Sequence, residues 1–185
     1  MSYTFTSDWH SMWTENWMKD LEGLIGKEID VLEIGSYEGR SAIWTIENIL
    51  THHNSKIVCL DIFNQPYFEN FKKNTRNYFQ QSKLQYIQGK SSESLEFLKS
   101  NDYYLQIPRS FDFIYVDGSH HPDDVIQDLV MSFDLLKPNG IMIMDDYGIV
   151  DPLPSPKEAI DLFLSKYEDQ IEVLRKEYQV TIRRK

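Results

Sequence analysis

Five strand-length apolar runs, spaced so that a helix fits between neighbours, are the feature that most limits what this chain can become. They are "DVLEIG" (30–35), "KIVCLD" (56–61), "LQYIQG" (84–89), "FDFIYVD" (111–117) and "GIMIMDD" (140–146). Each is rich in β-branched or aromatic residues and ends in turn-forming or acidic ones. Helical spacing falls between them. Ile43, Ile46, Ile49 and Leu50 share one face of "RSAIWTIENILTHH", and Val125, Leu129, Phe133 and Leu136 share one face of "DVIQDLVMSFDLL". Strands alternating with helices predict an α/β fold: a parallel sheet covered on both faces, doubly wound because the crossovers are right-handed. The rhythm breaks at the C-terminus. After Pro152, Pro154 and Pro156 the pattern predicts a helix over 156–168, and "IEVLRKEYQVTIRRK" predicts two strands around a turn near Lys176-Glu177. That hairpin ends the sheet with an antiparallel pair.

At the other end, Trp9, Trp13 and Trp17 recur at i, i+4 and i+8, one face of a helix. The spacing predicts a cap helix within residues 1–28 that docks on the sheet, with one of its rings walling a substrate pocket. No repeat, low-complexity stretch or linker divides the sequence, so residues 1–185 read as one domain. An apolar share of 41% with 14% aromatic residues suits a packed globular core.

Charge narrows the function. Lys and Arg total 19 against 29 Asp and Glu, a formal net charge of −10. A field of that sign argues against nucleic acid and anionic membrane as partners. The short basic tail "RRK" (183–185) reads as a solvated end. Cys59, inside "IVCL", reads as a core residue with no partner for a disulfide. No run approaches the ~20 apolar residues of a membrane span. "MSYTFTSDWH" lacks the basic-then-apolar pattern of a secretory signal, so a cytoplasmic location is the expectation.

The first candidate site is "VLEIGSYEGRSA", which runs from strand to helix with Gly35 and Gly39 in the turn. The spacing is G-x-x-x-G, neither the dinucleotide fingerprint nor a P-loop. Glycines there let a ligand approach the backbone, and the following helix offers free N–H groups. A ligand less anionic than a pyrophosphate, with a ribose and a carboxylate, suits such a turn. Asp61 ends the second run, where an acidic side chain accepts two hydrogen bonds from ribose hydroxyls.

The second candidate site gathers Asp117, at the end of the fourth run, with Asp145 and Asp146, at the end of the fifth. Neighbouring strands lie ~4.8 Å apart, so these carboxylates meet at the sheet's carboxyl edge. Clustered carboxylates repel one another unless a cation compensates, and oxygen ligands suit Mg²⁺ or a similar divalent ion. His120 and His121 follow Asp117 closely. With a reference pKa of ~6.5, an imidazole is available as a base near neutral pH. His120 is preferred; Pro122 biases His121 to extended geometry, so the two rings diverge. Asp123 and Asp124 read as helix-start residues, and His52 and His53 as a solvated helix end.

Motif "LEIGSYEGRSA", with Asp61, "QGKSSE", the acidic strand ends and the closing hairpin, resembles the class I S-adenosylmethionine-dependent methyltransferases. The narrower resemblance is to their metal-dependent O-methyltransferases, of the catechol and caffeoyl-CoA type and the small sugar type. It covers nearly the whole chain. It implies a Rossmann-like seven-stranded sheet of order 3-2-1-4-5-7-6 with the seventh strand antiparallel. It implies that Glu33, Gly35, Ser36, Tyr37, Gly39 and Ser41 line the methionine half of S-adenosylmethionine. Asp61 would hold the ribose, Gly89, Lys90 and Ser91 would border the adenine, and Asp117 would stand near the methyl donor. Asp117, Asp145 and Asp146 match the family's metal ligands. His120 falls in "DGSH", where the catechol type carries a lysine base and sugar enzymes carry histidine. The acceptor would be a small molecule or glycan hydroxyl, with a sugar hydroxyl preferred; a homodimer is compatible and not required. Three rival readings stay open: a phenol methyltransferase of catechol type, a non-catalytic S-adenosylmethionine-binding module, and a nicotinamide-dependent oxidoreductase. Acceptor screening separates the first and cofactor titration the last. The filled site positions argue against the second.

Overall fold

The computed structural model describes residues 3–100, 107–149 and 155–185. Seven strands form one sheet: β1 (Asp30–Ile34), β2 (Lys56–Asp61), β3 (Leu84–Gln88), β4 (Phe111–Val116), β5 (Leu136–Met144), β6 (Ile171–Lys176) and β7 (Val180–Arg184). Their order is β3-β2-β1-β4-β5-β7-β6, as expected. β1 to β5 pair in parallel, and β7 pairs antiparallel with both β5 and β6. Among the described residues six α-helices cover it: α1 (Thr14–Leu21), α2 (Arg40–Asn48), α3 (Tyr67–Gln80), α4 (Ser91–Lys99), α5 (Pro122–Phe133) and α6 (Pro156–Lys166). Pro156 opens α6 at its first turn, where a missing N–H costs nothing; Pro152 and Pro154 lie outside the described residues.

The strand period of two sorts the core into two layers. Leu32, Ile34, Val58, Leu60, Ile114, Val116, Met142 and Met144 pack against α4, α5 and α6, through Leu95, Leu129, Phe133, Ile160 and Phe163. Val31, Ile57, Cys59, Phe113, Tyr115, Ile141 and Ile143 pack against α1, α2 and α3, through Trp17, Leu21, Ala42, Ile46 and Phe71. Burial on both faces is why the central strands read as continuous apolar runs rather than alternating ones. Cys59 is fully buried in this core.

Two expectations are corrected. The tryptophans do not share one helical face: Trp17 lies on α1 and is buried, Trp13 ends a 3₁₀ turn (Ser11–Trp13), and Trp9 precedes both. Asp8 accepts the Ser11 N–H at 3.0 Å, which starts that tighter turn and breaks the i, i+4 spacing. β5 begins four residues earlier than the apolar run, at Leu136 rather than Gly140. The register shifts between Phe111 and Phe113 opposite it, and Asn139 adopts φ 63°, so "KPNG" is an irregular stretch of strand rather than a turn. Among the described residues no helix is long and apolar enough to cross a membrane.

His10 is buried edge-on against Trp17 and Trp44, with ring centroids 4.5 and 5.3 Å away. Neither ring nitrogen has a hydrogen-bond partner among the described residues. Burial therefore pushes its pKa down to about 4. The unfolded chain takes up this proton from pH ~6.5 downward while the folded chain does not, so stability falls as pH drops. His10→Phe removes that penalty. Between pH 7 and pH 5 the wild type should lose about 2 kcal/mol relative to His10→Phe in urea unfolding. Parallel curves would show that the folded His10 takes up its proton like the unfolded one.

Candidate active site

The strand order reverses between β1 and β4, and ligands in open α/β sheets bind at the carboxyl edge beside such a point. Here the ladder continues one residue past each strand. Gly35 donates to Leu60, Gly89 to Asp61, Asp117 to Ile34 and Asp145 to Val116, at 2.8–3.0 Å. These bonds bring the strand ends to one level, around a cleft of about 1220 Å³.

One end of the cleft is the glycine turn. Gly35 has φ +88°, and a Cβ there would fall 1.8 Å from the Asp117 carbonyl oxygen, so the turn admits only glycine. Asp61 holds the turn in place: its Oδ2 accepts the N–H groups of Ser36 (2.9 Å) and Tyr37 (2.8 Å), and its Oδ1 that of Phe63 (2.6 Å). A carboxylate has about four acceptor sites. Three amides leave Asp61 room for one further donor, against the two that the sequence reading gave it. Leu60, Ile62 and Phe63 add apolar wall, and Gly89, Lys90 and Ser91 close this end.

Of the residues predicted for the cofactor, Gly35, Tyr37, Asp61, Gly89, Lys90, Ser91 and Asp117 line the cleft. Glu33, Ser36, Gly39 and Ser41 do not. Ser36 and Glu33 are buried, and Glu33 accepts the Ser41 hydroxyl behind the turn. Burial pushes the Glu33 carboxyl up to about 7. Gly39 starts α2 at φ +83° against Thr75 and Phe71. This set supports the turn from one layer below.

The other end is acidic. One ligand atom each from Asp117, His120 and Asp146 lie within 4.8 Å of one another. His120 Nε2 stands 2.7 Å from Asp146 Oδ2, and the Tyr178 hydroxyl donates to Asp146 Oδ1 at 3.0 Å. Asp145 also lines the cleft but is not one of that trio; its carboxylate accepts the Asp146 N–H (2.8 Å) and the Tyr115 hydroxyl, which also reaches Asp117 Oδ2 at 3.0 Å. Burial, followed by the charges of Asp145 and Asp146, raises the Asp117 pKa well above the usual carboxylate range. Carboxylates crowded in this way, with His120 the basic group paired to them among the described residues, are a donor set that suits a hard divalent cation. The same anionic wall suits a sulfonium cation and disfavours a pyrophosphate.

His121 caps α5, exposed, while His120 faces the cleft. Ser119 fixes that loop, its Oγ donating to Asp124 (2.7 Å) and accepting the His121 N–H (3.1 Å). Trp9, Met12 and Trp13 line the cleft mouth, where Trp9 packs against Tyr37 (centroids 5.3 Å) and Tyr37 against Tyr67 (4.5 Å). The sequence reading expected a tryptophan there but missed Tyr67, Tyr115 and Tyr178. Three of the five non-glycine residues with positive φ among those described, Tyr37, Phe63 and Asp146, line the cleft. Such backbone gathers where a site over-determines it.

A family model described as "Methyltransferase domain" matches residues 32–147, from β1 through the acidic end of the cleft, and the chain belongs to that family. Among individual proteins, it is similar to the O-methyltransferase from Bacillus cereus solved in complex with SAH: 16% identity, TM-score 0.72, covering 98% of this chain and 84% of that one. It is similar to the MycE methyltransferase of the mycinamycin biosynthetic pathway, solved with Mg and SAH: 18% identity, TM-score 0.67, 96% of this chain and 51% of that one. The methyltransferase PaMTH1 of Podospora anserina, bound to SAH, gives 22% identity and TM-score 0.62 over 84% of this chain and 71% of its own. At these identities the likeness shows the fold. In sequence, the uncharacterized protein R132 of Acanthamoeba polyphaga mimivirus is 28% identical over 121 residues, 65% of this chain. The chain spans about half, 52%, of the length of that curated relative.

Proposed function

We propose that the protein is an S-adenosylmethionine-dependent O-methyltransferase, assisted by a divalent cation, that acts on a hydroxyl of a small molecule or glycan. The observation that carries this reading is that one cleft joins the glycine turn and Asp61 to the Asp117–His120–Asp146 cluster. SAH-bound neighbours of the same fold, one of them with Mg, support it. Asp61 would accept from one ribose hydroxyl, Gly35 and Tyr37 would border the methionine portion, and Gly89, Lys90 and Ser91 the adenine. Asp117 and Asp146 would hold the cation. Asp145, which shares the Tyr115 hydroxyl with Asp117, backs the pair. When bound, the cofactor supplies an electrophilic methyl group and the cation a positive charge beside the acceptor hydroxyl.

The protein's own part is positioning and proton transfer. With Asp146 Oδ2 at 2.7 Å, Nε2 of His120 carries the proton of that contact, which leaves the lone pair on Nδ1. His120 accepts the acceptor's hydroxyl proton at Nδ1, and the Asp146 carboxylate stabilises the imidazolium that results. The rings of Trp9, Tyr37 and Tyr67 flank the mouth and offer flat faces to a ring-shaped acceptor. A sugar diol is the preferred acceptor because a histidine base serves a hydroxyl beside a cation. An aromatic diol would stack on the same rings.

Calorimetric titration of S-adenosylhomocysteine tests the cofactor end. The wild type should bind it, and Asp61→Ala should bind at least ~10-fold more weakly, a loss of about 1.4 kcal/mol or more. An acceptor screen with Mg²⁺ and then EDTA tests the other end, glycans before aromatic diols. A wild type that binds neither S-adenosylmethionine nor its product, yet takes up NADH, would replace this reading with an oxidoreductase.

A further inference from the structure

We propose that Tyr178 is a positioning residue of this site: its hydroxyl fixes the Asp146 carboxylate in the orientation that serves His120. The inference rests on the roles given to Asp146 and His120 above. Tyr178 lies in the turn between β6 and β7, outside the residues 32–147 that the family model matches. It donates to Oδ1 of Asp146 at 3.0 Å, while Oδ2 faces His120 Nε2 at 2.7 Å. Each oxygen therefore has its own partner. The final torsion of an aspartate is broad and two-fold, so a carboxylate held at one oxygen alone swings away from a defined geometry.

The ring of Tyr178 is itself clamped by parts of the chain distant in sequence. Trp13 stacks on it with centroids 4.9 Å apart and planes at 15°. From the loop after β5, the Gly148 N–H donates to the Tyr178 carbonyl at 2.9 Å. A Cβ at Gly148 would lie 2.8 Å from both Cα and Cδ2 of Tyr178, so glycine is what allows the loop this close. Asp146 stands in that loop with φ 58°. The N-terminal turn, the loop and the hairpin thus converge on one phenol whose hydroxyl ends on the acidic cluster. Partners of this outer kind typically set ligand orientation and are worth ~10–100-fold in metal affinity.

Tyr178→Phe removes the hydroxyl and keeps the ring, its stack and its fit against Gly148. The first readout is the ¹⁵N spectrum of the apo protein's imidazoles at pH ~8.5, where a free imidazole is neutral, with His120 assigned by its loss in His120→Gln. The wild type should show the Nε2–H tautomer at His120, and Tyr178→Phe a mixture of tautomers. The second readout is Mn²⁺ binding followed by electron paramagnetic resonance, where Tyr178→Phe should bind at least ~10-fold more weakly. S-adenosylhomocysteine affinity should not change. An unchanged tautomer at His120 overturns the proposal whatever Mn²⁺ does. The tautomer readout needs neither cofactor nor metal, so it still decides if the wild type binds no S-adenosylhomocysteine and the methyltransferase reading falls.

Discussion

Gly35→Ala is expected to cost a large part of the stability of this protein and to abolish S-adenosylhomocysteine binding. The added Cβ would meet the Asp117 carbonyl oxygen at 1.8 Å, its carbon at 2.4 Å and the Gly118 Cα at 2.8 Å. All three are backbone, so no side-chain rotation relieves the contact. The turn must move away from β4, which breaks the bonds of Gly35 to Leu60 and of Asp117 to Ile34. Alanine also resists φ +88°, a conformation that costs a non-glycine residue roughly 1–2 kcal/mol. With one or two backbone bonds lost at ~1 kcal/mol each and the strand ends displaced, a total above ~3 kcal/mol is expected, against a whole stability of ~5–15. For a chain of this size that lowers Tm by roughly 6–12 °C or more. Gly89→Ala is the control for stability. It lines the same cleft, but its Cβ would meet only the Ser94 Oγ, at 3.5 Å, and it needs no left-handed backbone. Thermal unfolding of both variants checks the contrast. A Gly35→Ala protein that melts within ~3 °C of the wild type would mean that the close approach of turn and β4 is not needed.

What could be read from the residues follows from the range of the forces involved. The strands were legible because burial on both faces forces continuous apolar runs, and the hairpin because its residues are consecutive. The cleft's two ends were legible because a parallel sheet puts every strand's carboxyl end on one edge, so Asp61, Asp117, Asp145 and Asp146 had to face the same side. What was not legible depends on contacts across the sequence. Asp145 and Asp146 are neighbours with the same chemistry, and contacts from elsewhere in the chain separate their roles: the Tyr115 hydroxyl reaches Asp145 from β4, while the Tyr178 hydroxyl and His120 meet Asp146. Tyr178 meets Asp146 across 32 residues, through a hairpin that packs the turn against the loop after β5. Nothing in "KEYQV" marks that tyrosine. Glu33 and Ser41 were placed on the ligand wall by resemblance, but the period of two in β1 points Glu33 into the layer shared with α2, where Ser41 meets it. The Trp9–Trp13–Trp17 spacing failed for a local reason, because Asp8 captures the Ser11 amide and winds the chain too tightly.

His120→Ala should lower turnover by ~10²–10⁴, the usual worth of a positioned general base, and leave S-adenosylhomocysteine affinity unchanged. The two effects separate because His120 stands at the acidic end of the cleft, away from the turn that Asp61 holds. His121→Ala is the matched comparison. His121 is exposed, caps α5 without a side-chain hydrogen bond and does not line the cleft, so its loss should change turnover little. The pair of variants decides which imidazole takes the proton. Mn²⁺ affinity then decides what else His120 does. Its Nε2 cannot at once donate to Asp146 and bind a cation, because one nitrogen offers either a proton or a lone pair. If Nε2 keeps its proton on Asp146, Asp117 and Asp146 hold the ion alone and His120→Ala binds Mn²⁺ like the wild type. A mainly carboxylate site of that kind suits Mg²⁺, which keeps several waters and dehydrates reluctantly. If His120→Ala loses Mn²⁺ together with turnover, the imidazole is a ligand. The site then favours a metal that accepts nitrogen, and the acceptor's proton must leave through water or another side chain. Full turnover in His120→Ala would remove the base from this position altogether, and the 2.7 Å contact with Asp146 would stand as a structural contact at the cleft's edge.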